Sequence, residues 1–313
     1  MVEQLIRNQQ VGGSSPPLGS TLKTKRYLPN PKFQFPEQPL SMVEKKLSNQ
    51  VKMITLPGKA SYPVNIYLLG EGKDALLIDT GYRETAREVV ERAAGGRLSR
   101  ILITHYHPDH SQAGEAIARE TGAEIFAHPE EIPTIKNWFE NTEVKTVTEG
   151  ETIEFSGGEI QVLGTPGHTR GHLAYFWKEE KILFSGDLVV GGSTTWVGPP
   201  DGDVRDYLAS LERLQEMEIA RIFPGHGQEI RNTRKKINTL IRHRHMREEQ
   251  ILVHLKRAEL TIPELVKEVY PMLEERFRLP ALLTVAGHLH KLESEGKVEA
   301  VSEGETRYRI KSQ

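Results

Sequence analysis

Thr104-His105-Tyr106-His107-Pro108-Asp109-His110 gathers three imidazoles and a carboxylate into one short stretch, directly after the apolar run Ile101-Leu102-Ile103. An apolar run bounded by a turn reads as a buried strand, so the cluster stands where the chain leaves the core. Nitrogen and oxygen ligands this dense suit zinc or a similar borderline divalent metal. The chain contains no cysteine, so neither a thiolate metal knot nor a disulfide framework is available to it. A polar loop that happens to be rich in histidine is the bland alternative, and the segments downstream argue against it.

Three later segments repeat the arrangement, each after a predicted strand. Ile160 to Leu163 leads into Gly164-Thr165-Pro166-Gly167-His168-Thr169-Arg170-Gly171-His172, whose Pro-Gly pair makes a tight turn that aims His168 outward. Ile182-Leu183-Phe184-Ser185-Gly186-Asp187 brings a carboxylate to a strand end, where it can bridge two cations. Ile222-Phe223-Pro224-Gly225-His226-Gly227 flanks His226 with glycines, which lets backbone approach a ligand or metal closely.

Together these motifs resemble those of the metallo-beta-lactamase-fold hydrolases, from about Val51 to Gln228. Within that superfamily the chain is similar to lactamase-beta-like and hydroxyacylglutathione hydrolase-like proteins that carry a C-terminal winged helix. The resemblance implies two divalent metal ions per subunit, with zinc the expected ion. It assigns His105, His107 and His168 to one metal, Asp109, His110 and His226 to the second, and Asp187 to a bridge between them. Leu77-Ile78-Asp79-Thr80-Gly81 matches the first motif of the family, whose Asp would hydrogen-bond within the site and orient a ligand. A turn cap is the alternative role for Asp79.

Other residues near these motifs read as supporting the site. His172, four residues beyond His168 in a turn, is expected behind the ligands, and His128 at the rim or in a structural role. Tyr106 and the segment Thr194-Thr195-Trp196 are expected to line the substrate mouth, with simple packing as the alternative for Tyr106 and packing into the core or a dimer contact as the alternative for Trp196.

Two adjacent cations lower the pKa of a shared water toward about 7, which makes hydroxide the expected nucleophile. Asp109 is the expected catalytic residue, accepting a proton and returning it to the leaving group. The expected function is therefore metal-dependent, binuclear hydrolysis of an ester, a thioester or a related small-molecule bond. A single-strand-specific endoribonuclease is the alternative. A mononuclear iron persulfide dioxygenase fits less well because ligands for a second metal are present. A non-catalytic winged-helix regulator would have no use for the ligand set.

With 43 acidic against 41 basic residues the chain is no overall polyanion binder. No run of signal-peptide or membrane-spanning length occurs in the sequence, so a cytoplasmic protein without a membrane partner is expected, and antibiotic hydrolysis is disfavoured. The absence of a Gly-x-Gly-x-x-Gly turn argues against a dinucleotide fold. Residues 1–41 are expected to be a disordered or misassigned extension. Val11-Gly12-Gly13-Ser14-Ser15-Pro16-Pro17 resembles a translated tRNA gene, and the native start is expected nearer Met42.

Residues 42–232 read as an α+β catalytic domain, a four-layer αββα sandwich. Asn65 to Leu69 and Ala75 to Ile78 form a hairpin, Thr85 to Ala94 a helix stopped by Gly95-Gly96, and Ser111 to Glu120 a helix with Asp109 and His110 at its N-terminus. Residues 233–313 read as a small C-terminal winged-helix domain. Helices are expected over Lys236 to Lys256, over Ile262 to Tyr270 with Thr261 as N-cap, and over Leu279 to Gly296, followed by two strands around Glu303-Gly304-Glu305.

From Arg231 onward seventeen lysines and arginines face twelve glutamates, a mild hint of a phosphate contact. The third helix offers Ala286, Gly287, His288, His290 and Lys291 but no arginine, which is weak equipment for reading bases. Arg242 to Arg247, Arg307 and Arg309 could meet single-stranded RNA, but covering the active-site mouth or holding a homodimer weighs more. His243 and His245 are expected to face solvent.

Overall fold

The computed structural model of the protein describes residues 42–58, 63–70, 74–93, 98–303 and 305–312. The N-terminal extension 1–41 and the Gly95-Gly96 helix stop lie outside the described residues.

Two sheets dominate. Strands β1 (Val43–Lys46), β2 (Val51–Leu56), β3 (Val64–Leu69), β4 (Ala75–Ile78), β5 (Leu98–Leu102), β6 (Glu124–Ala127) and β7 (Val144–Thr146) lie side by side in chain order. The first four pair antiparallel, and β4 to β7 pair parallel. The second sheet has the order β12 (Arg221–Pro224), β11 (Ile182–Gly186), β10 (Leu173–Trp177), β9 (Gly158–Gly164), β8 (Thr152–Phe155), antiparallel except for β11 with β12.

Side-chain alternation shows how the layers stack. Leu76 and Ile78 of β4, Tyr67 and Leu69 of β3, Leu173, Tyr175 and Trp177 of β10, and Ile182 and Phe184 of β11 share one core between the sheets. The intervening residues of the first sheet, among them Leu77, Val64 and Ile66, turn the other way onto helices α1 (Ala86–Ala93) and α3 (Gly114–Thr121). Ala174, Phe176 and Leu183 of the second sheet do the same onto α5 (Val204–Gln215) and the start of α6 (Thr233–Leu255). The result is the expected helix–sheet–sheet–helix sandwich. Burying one such aliphatic side chain is worth about 1.5–3 kcal/mol, so a one-residue slip that turned a strand over would be heavily penalised.

Some boundaries differ from expectation. Asp109 and His110 lie inside a separate single turn, α2 (Pro108–Ser111), rather than ahead of the helix that follows. Pro108 starts that turn, and the Ala113 N–H then donates to Gly81 O, which leaves the helical ladder before α3 begins. Helix α5 has no counterpart among the sequence expectations. Its signal is nonetheless present, since Asp203 caps it through Arg205 N and Asp206 N, and Val204, Tyr207, Leu208, Leu211 and Leu214 recur at helical spacing. Strands β1, β2 and β7 and the short helix α4 (Ile132–Ile135) are likewise additions to those expectations.

The C-terminal region forms the expected helices and ribbon. Helix α7 (Ile262–Val269) opens with a capping box in which the Thr261 hydroxyl accepts from Glu264 N and the Glu264 carboxylate from Thr261 N. Helix α8 (Arg278–Ser294) and the antiparallel pair β13 (Val298–Glu303) and β14 (Glu305–Ile310) complete a winged helix with its own core around Leu265, Val285 and Leu289. Among the described residues no helix is long and apolar enough to cross a membrane.

Candidate metal centre

Asp79 and each candidate ligand follow a strand at its C-terminal end. Asp79 follows β4, the run from Thr104 to His110 follows β5, His168 follows β9, Asp187 follows β11 and His226 follows β12. Sheet packing thus brings to one place residues that the chain separates by as much as 147 positions.

Three groups have donor atoms within 4.8 Å of one another: His105, His107 and His168; His105, His110 and Asp187; and Asp109, His110 and His226. Asp187 stands between the sets. Its Oδ2 is 3.7 Å from His168 Nε2 and 3.5 Å from His226 Nε2, and its Oδ1 is 3.5 Å from His110 Nε2. Asp109 Oδ2 lies 3.3 Å from His226 Nε2.

Each of four histidines keeps one nitrogen on the protein and turns the other inward. His168 Nδ1 is 2.8 Å from Trp196 O, His226 Nδ1 is 2.7 Å from Pro63 O, His110 Nδ1 is 2.8 Å from Asp79 Oδ2 and His105 Nδ1 is 3.0 Å from Thr104 Oγ1. Such partners fix ring orientation and raise basicity at the other nitrogen. His107 instead turns Nδ1 inward, 2.8 Å from His105 Nε2 and 3.0 Å from His168 Nε2. His172 differs because both of its nitrogens are used. Nδ1 is 2.8 Å from Thr165 Oγ1, and Nε2 accepts the backbone N–H of Asp187 at 3.1 Å. It thereby holds the Asp187 peptide.

The residues present fit divalent cations. Three neutral imidazole nitrogens pointing at one another repel unless a cation or proton lies among them, and the largely buried Asp187 Oδ1 has no hydrogen-bond partner. Burial, aided by neighbouring histidines, pushes His105 well below its usual pKa and His107 down to about 3, and burial lowers His168 as well, so these three keep their lone pairs. Burial also opposes charge on His110 and His226. Asp79, Asp109 and Asp187 outweigh it at His110, raised to about 9, and Asp187 and Asp109 outweigh it at His226, raised to about 11. Burial raises the Asp187 carboxyl, but His226 and His110 prevail and hold it well below the usual range.

Gly225 is required by this geometry. A Cβ there would stand 2.7 Å from both Asp187 Oδ1 and His110 Cε1.

The residues assigned to the mouth divide. The Tyr106 hydroxyl donates to Asp201 Oδ2, which ties the ligand loop to the segment after Trp196. The half-buried Trp196 sits with its ring 6.3 Å from that of His168. Thr194 is exposed, whereas Thr195 is buried, its hydroxyl donating to Asp187 O at 2.7 Å rather than facing the opening. His128 is half-buried and its Nδ1 accepts Glu130 N.

Sequence reasoning missed Glu131, which is 1% exposed and accepts from Tyr106 N, Thr169 Oγ1 and Gly171 N, each at 2.8 Å. It joins the loop bearing His105 and His107 to the turn bearing His168. No local signal separates it from its exposed neighbour Glu130.

The sequence matches the metallo-beta-lactamase superfamily over residues 61–226. The chain belongs to that superfamily. Residues 261–307 match the beta-lactamase associated winged helix domain, which agrees with α7, α8 and the ribbon. Among curated relatives, the chain is 33% identical over 245 residues to the beta-lactamase-like protein 2 homolog of Caenorhabditis elegans, covering 75% of this chain and 80% of that protein. It is 30% identical over 255 residues to an atrochrysone carboxyl ACP thioesterase of Claviceps purpurea, covering 77% and 79%. The fold is similar to the crystal structure of a metallo-beta-lactamase family protein from Thermus thermophilus, with TM-score 0.74 at 24% identity, covering 85% of this chain and 100% of that one. Membership of the metallo-beta-lactamase superfamily makes this chain a metal-dependent hydrolase, and its His/Asp clusters are where the superfamily's metal would be held.

Proposed function

We propose that the protein hydrolyses the thioester or ester bond of a small acyl substrate with two divalent cations, zinc being the ion that the nitrogen and oxygen donors suit. The observation that carries this reading is the position of Asp187 within 3.7 Å of His168 on one side and 3.5 Å of His110 and His226 on the other. His105, His107 and His168 would hold one cation, Asp109, His110 and His226 the other, and Asp187 both. Cations there would lower the pKa of water toward about 7 and polarise the substrate carbonyl.

The chain's own groups do the rest. Asp109 combines partial exposure with a pKa below the usual range, because His110 and the bond from His226 outweigh the upward push of burial. It is therefore ionised at neutral pH, able to orient the attacking water, take its proton at Oδ2 and pass it to the leaving group. Tyr106, Asp201 and Trp196 would border the acyl group. We divide the chain functionally into a catalytic unit, residues 42–232, and a C-terminal unit, residues 233–313.

Likeness to a protein named as a thioesterase supports the thioester as substrate, as does the Thr165 to His172 motif, which resembles that of hydroxyacylglutathione hydrolases. Single-stranded RNA has less support. On α8, His288 is fully buried and Lys291 pairs with Glu248 and Glu295. Arg307 pairs with Glu264, and Arg309 with Glu259 and Glu299.

Purified, zinc-loaded protein should cleave S-lactoylglutathione or another acyl thioester, leave single-stranded RNA intact, and lose the thioester activity in Asp109→Asn. Cleavage of RNA that depends on Asp109, with thioesters untouched, would overturn the reading.

A further inference from the structure

Helix α6 belongs to two cores at once. Ile237 and Leu240 pack on the second sheet and α5, while Ile251 and Leu255 pack with α7 and α8. Between them lies Arg244, only 2% exposed, in a stretch that neither family match covers. A buried guanidinium is costly unless its N–H groups find partners. Arg244 Nη2 donates to the carbonyl of Thr195, and its Cζ lies 4.9 Å from the ring centroid of the fully buried Tyr207.

The peptide that Arg244 grips leads directly to the ligands. The Thr195 hydroxyl donates to the Asp187 carbonyl at 2.7 Å, and the next carbonyl, that of Trp196, lies 2.8 Å from His168 Nδ1. Helix α8 closes the far side of the same loop. A Cβ on Gly198 would stand 2.5 Å from Leu283 O, and one on Gly287 would stand 3.3 Å from Gly198 Cα, so loop and helix meet backbone to backbone. The loop over the metal centre is thus held by α6 and α8.

We propose that Arg244 is a positioning residue for the metal centre. It holds the Thr195–Trp196 peptide so that His168 presents Nε2 and Asp187 keeps its place between the two histidine sets. The C-terminal helices are then part of the site's construction. The proposal rests on the reading of His168 and Asp187 as metal ligands.

Cobalt(II) tests it without a substrate. The full chain, stripped of metal, is titrated with cobalt against a chromophoric chelator, the visible spectrum is recorded, and thermal melting is followed by circular dichroism. Arg244→Gln should bind about tenfold or more weakly, the range found when a partner behind a ligand is lost, with a shifted visible band. Ile251→Ala, placed in the C-terminal core, should lower the melting temperature yet leave cobalt affinity within about twofold, since no ligand partner is lost. A folded Arg244→Gln protein with wild-type affinity and spectrum overturns the proposal, as does an equal loss in Ile251→Ala. Should Arg244→Gln fail to fold, Thr195→Val decides. It removes the tie to Asp187 without disturbing the buried charge, and unchanged cobalt binding there removes the coupling on which the proposal stands. A wild-type chain that takes up no cobalt would defeat the metal reading as well, whereas wild-type uptake with an unaffected variant defeats this proposal alone.

Discussion

Oδ2 of Asp79 lies 2.8 Å from Nδ1 of His110, with both side chains buried. Asp79 holds φ at 60°, in the left-handed region, and its Oδ1 accepts the N–H and is 3.0 Å from the hydroxyl oxygen of Thr104. The carboxylate therefore fixes the orientation of the His110 ring and leaves its Nε2 turned toward the histidine–aspartate cluster. Asp79→Asn should preserve the fold while reducing metal affinity by roughly 10- to 100-fold. Metal content after dialysis against a weak chelator reads this, and full occupancy would reduce Asp79 to a turn residue.

Asp109→Asn keeps an oxygen donor but loses the proton acceptor. Turnover should drop by about two to four orders of magnitude, the usual worth of a general base, with most of the metal and the melting temperature retained. Undiminished turnover would sink its catalytic assignment.

Metal uptake should release protons. In the metal-free protein His110, at about 9, and His226, at about 11, are protonated at neutral pH, and a cation must displace those protons to reach the nitrogens. Affinity should therefore rise from pH 7 toward 9, with acidification detectable in weakly buffered solution. Both pKa values lie above the unfolded histidine value of about 6.5. Their contribution to metal-free stability is full below that pH and is lost as pH climbs through 9 and then 11. His107, held at about 3, acts in the opposite sense, and its contribution is lost as pH falls below about 6.5. A chelator-treated protein that melts no lower at pH 10 than at pH 7 would contradict these carboxylate–histidine pairings.

Gly225→Ala should fold and yet bind metal poorly. The added methyl would meet Asp187 Oδ1 and His110 Cε1 at 2.7 Å, so one of them must move. Metal analysis of the folded variant checks this, and wild-type stoichiometry with wild-type activity would refute the close approach.

Thr261→Ala removes the N-cap of α7, whose hydroxyl accepts Glu264 N at 3.3 Å. The expected cost is about 1 kcal/mol, seen as a lower melting temperature with unchanged turnover per folded molecule. A loss of turnover per folded molecule in Thr261→Ala would mean that the winged helix acts on the site as a whole.

Much of the fold was legible because strands such as β4 and β10 are continuous apolar runs, buried at every position, whose alternate residues serve two cores. The short turn around Asp109 was less legible. The break after Ser111 comes from a hydrogen bond to Gly81, thirty-two residues earlier in the chain than Ala113. Thr195 could be placed near the site by its neighbours along the chain, but the direction of its hydroxyl could not.

The sequence by itself determined the candidate donors. Metal ligation admits few residue types, and His105, His107, Asp109, His110, His168, Asp187 and His226 each follow an apolar run that had to be buried. Only the tertiary structure decided which nitrogen each histidine turns toward the cluster, that His172 has none to spare, that Glu131 stitches the loop of His105 and His107 to the turn of His168, and that Arg244 reaches from α6 to the loop beside His168. Those outcomes depend on hydrogen-bond partners contributed by distant segments, and no local pattern of residues encodes which partner a buried polar group will meet.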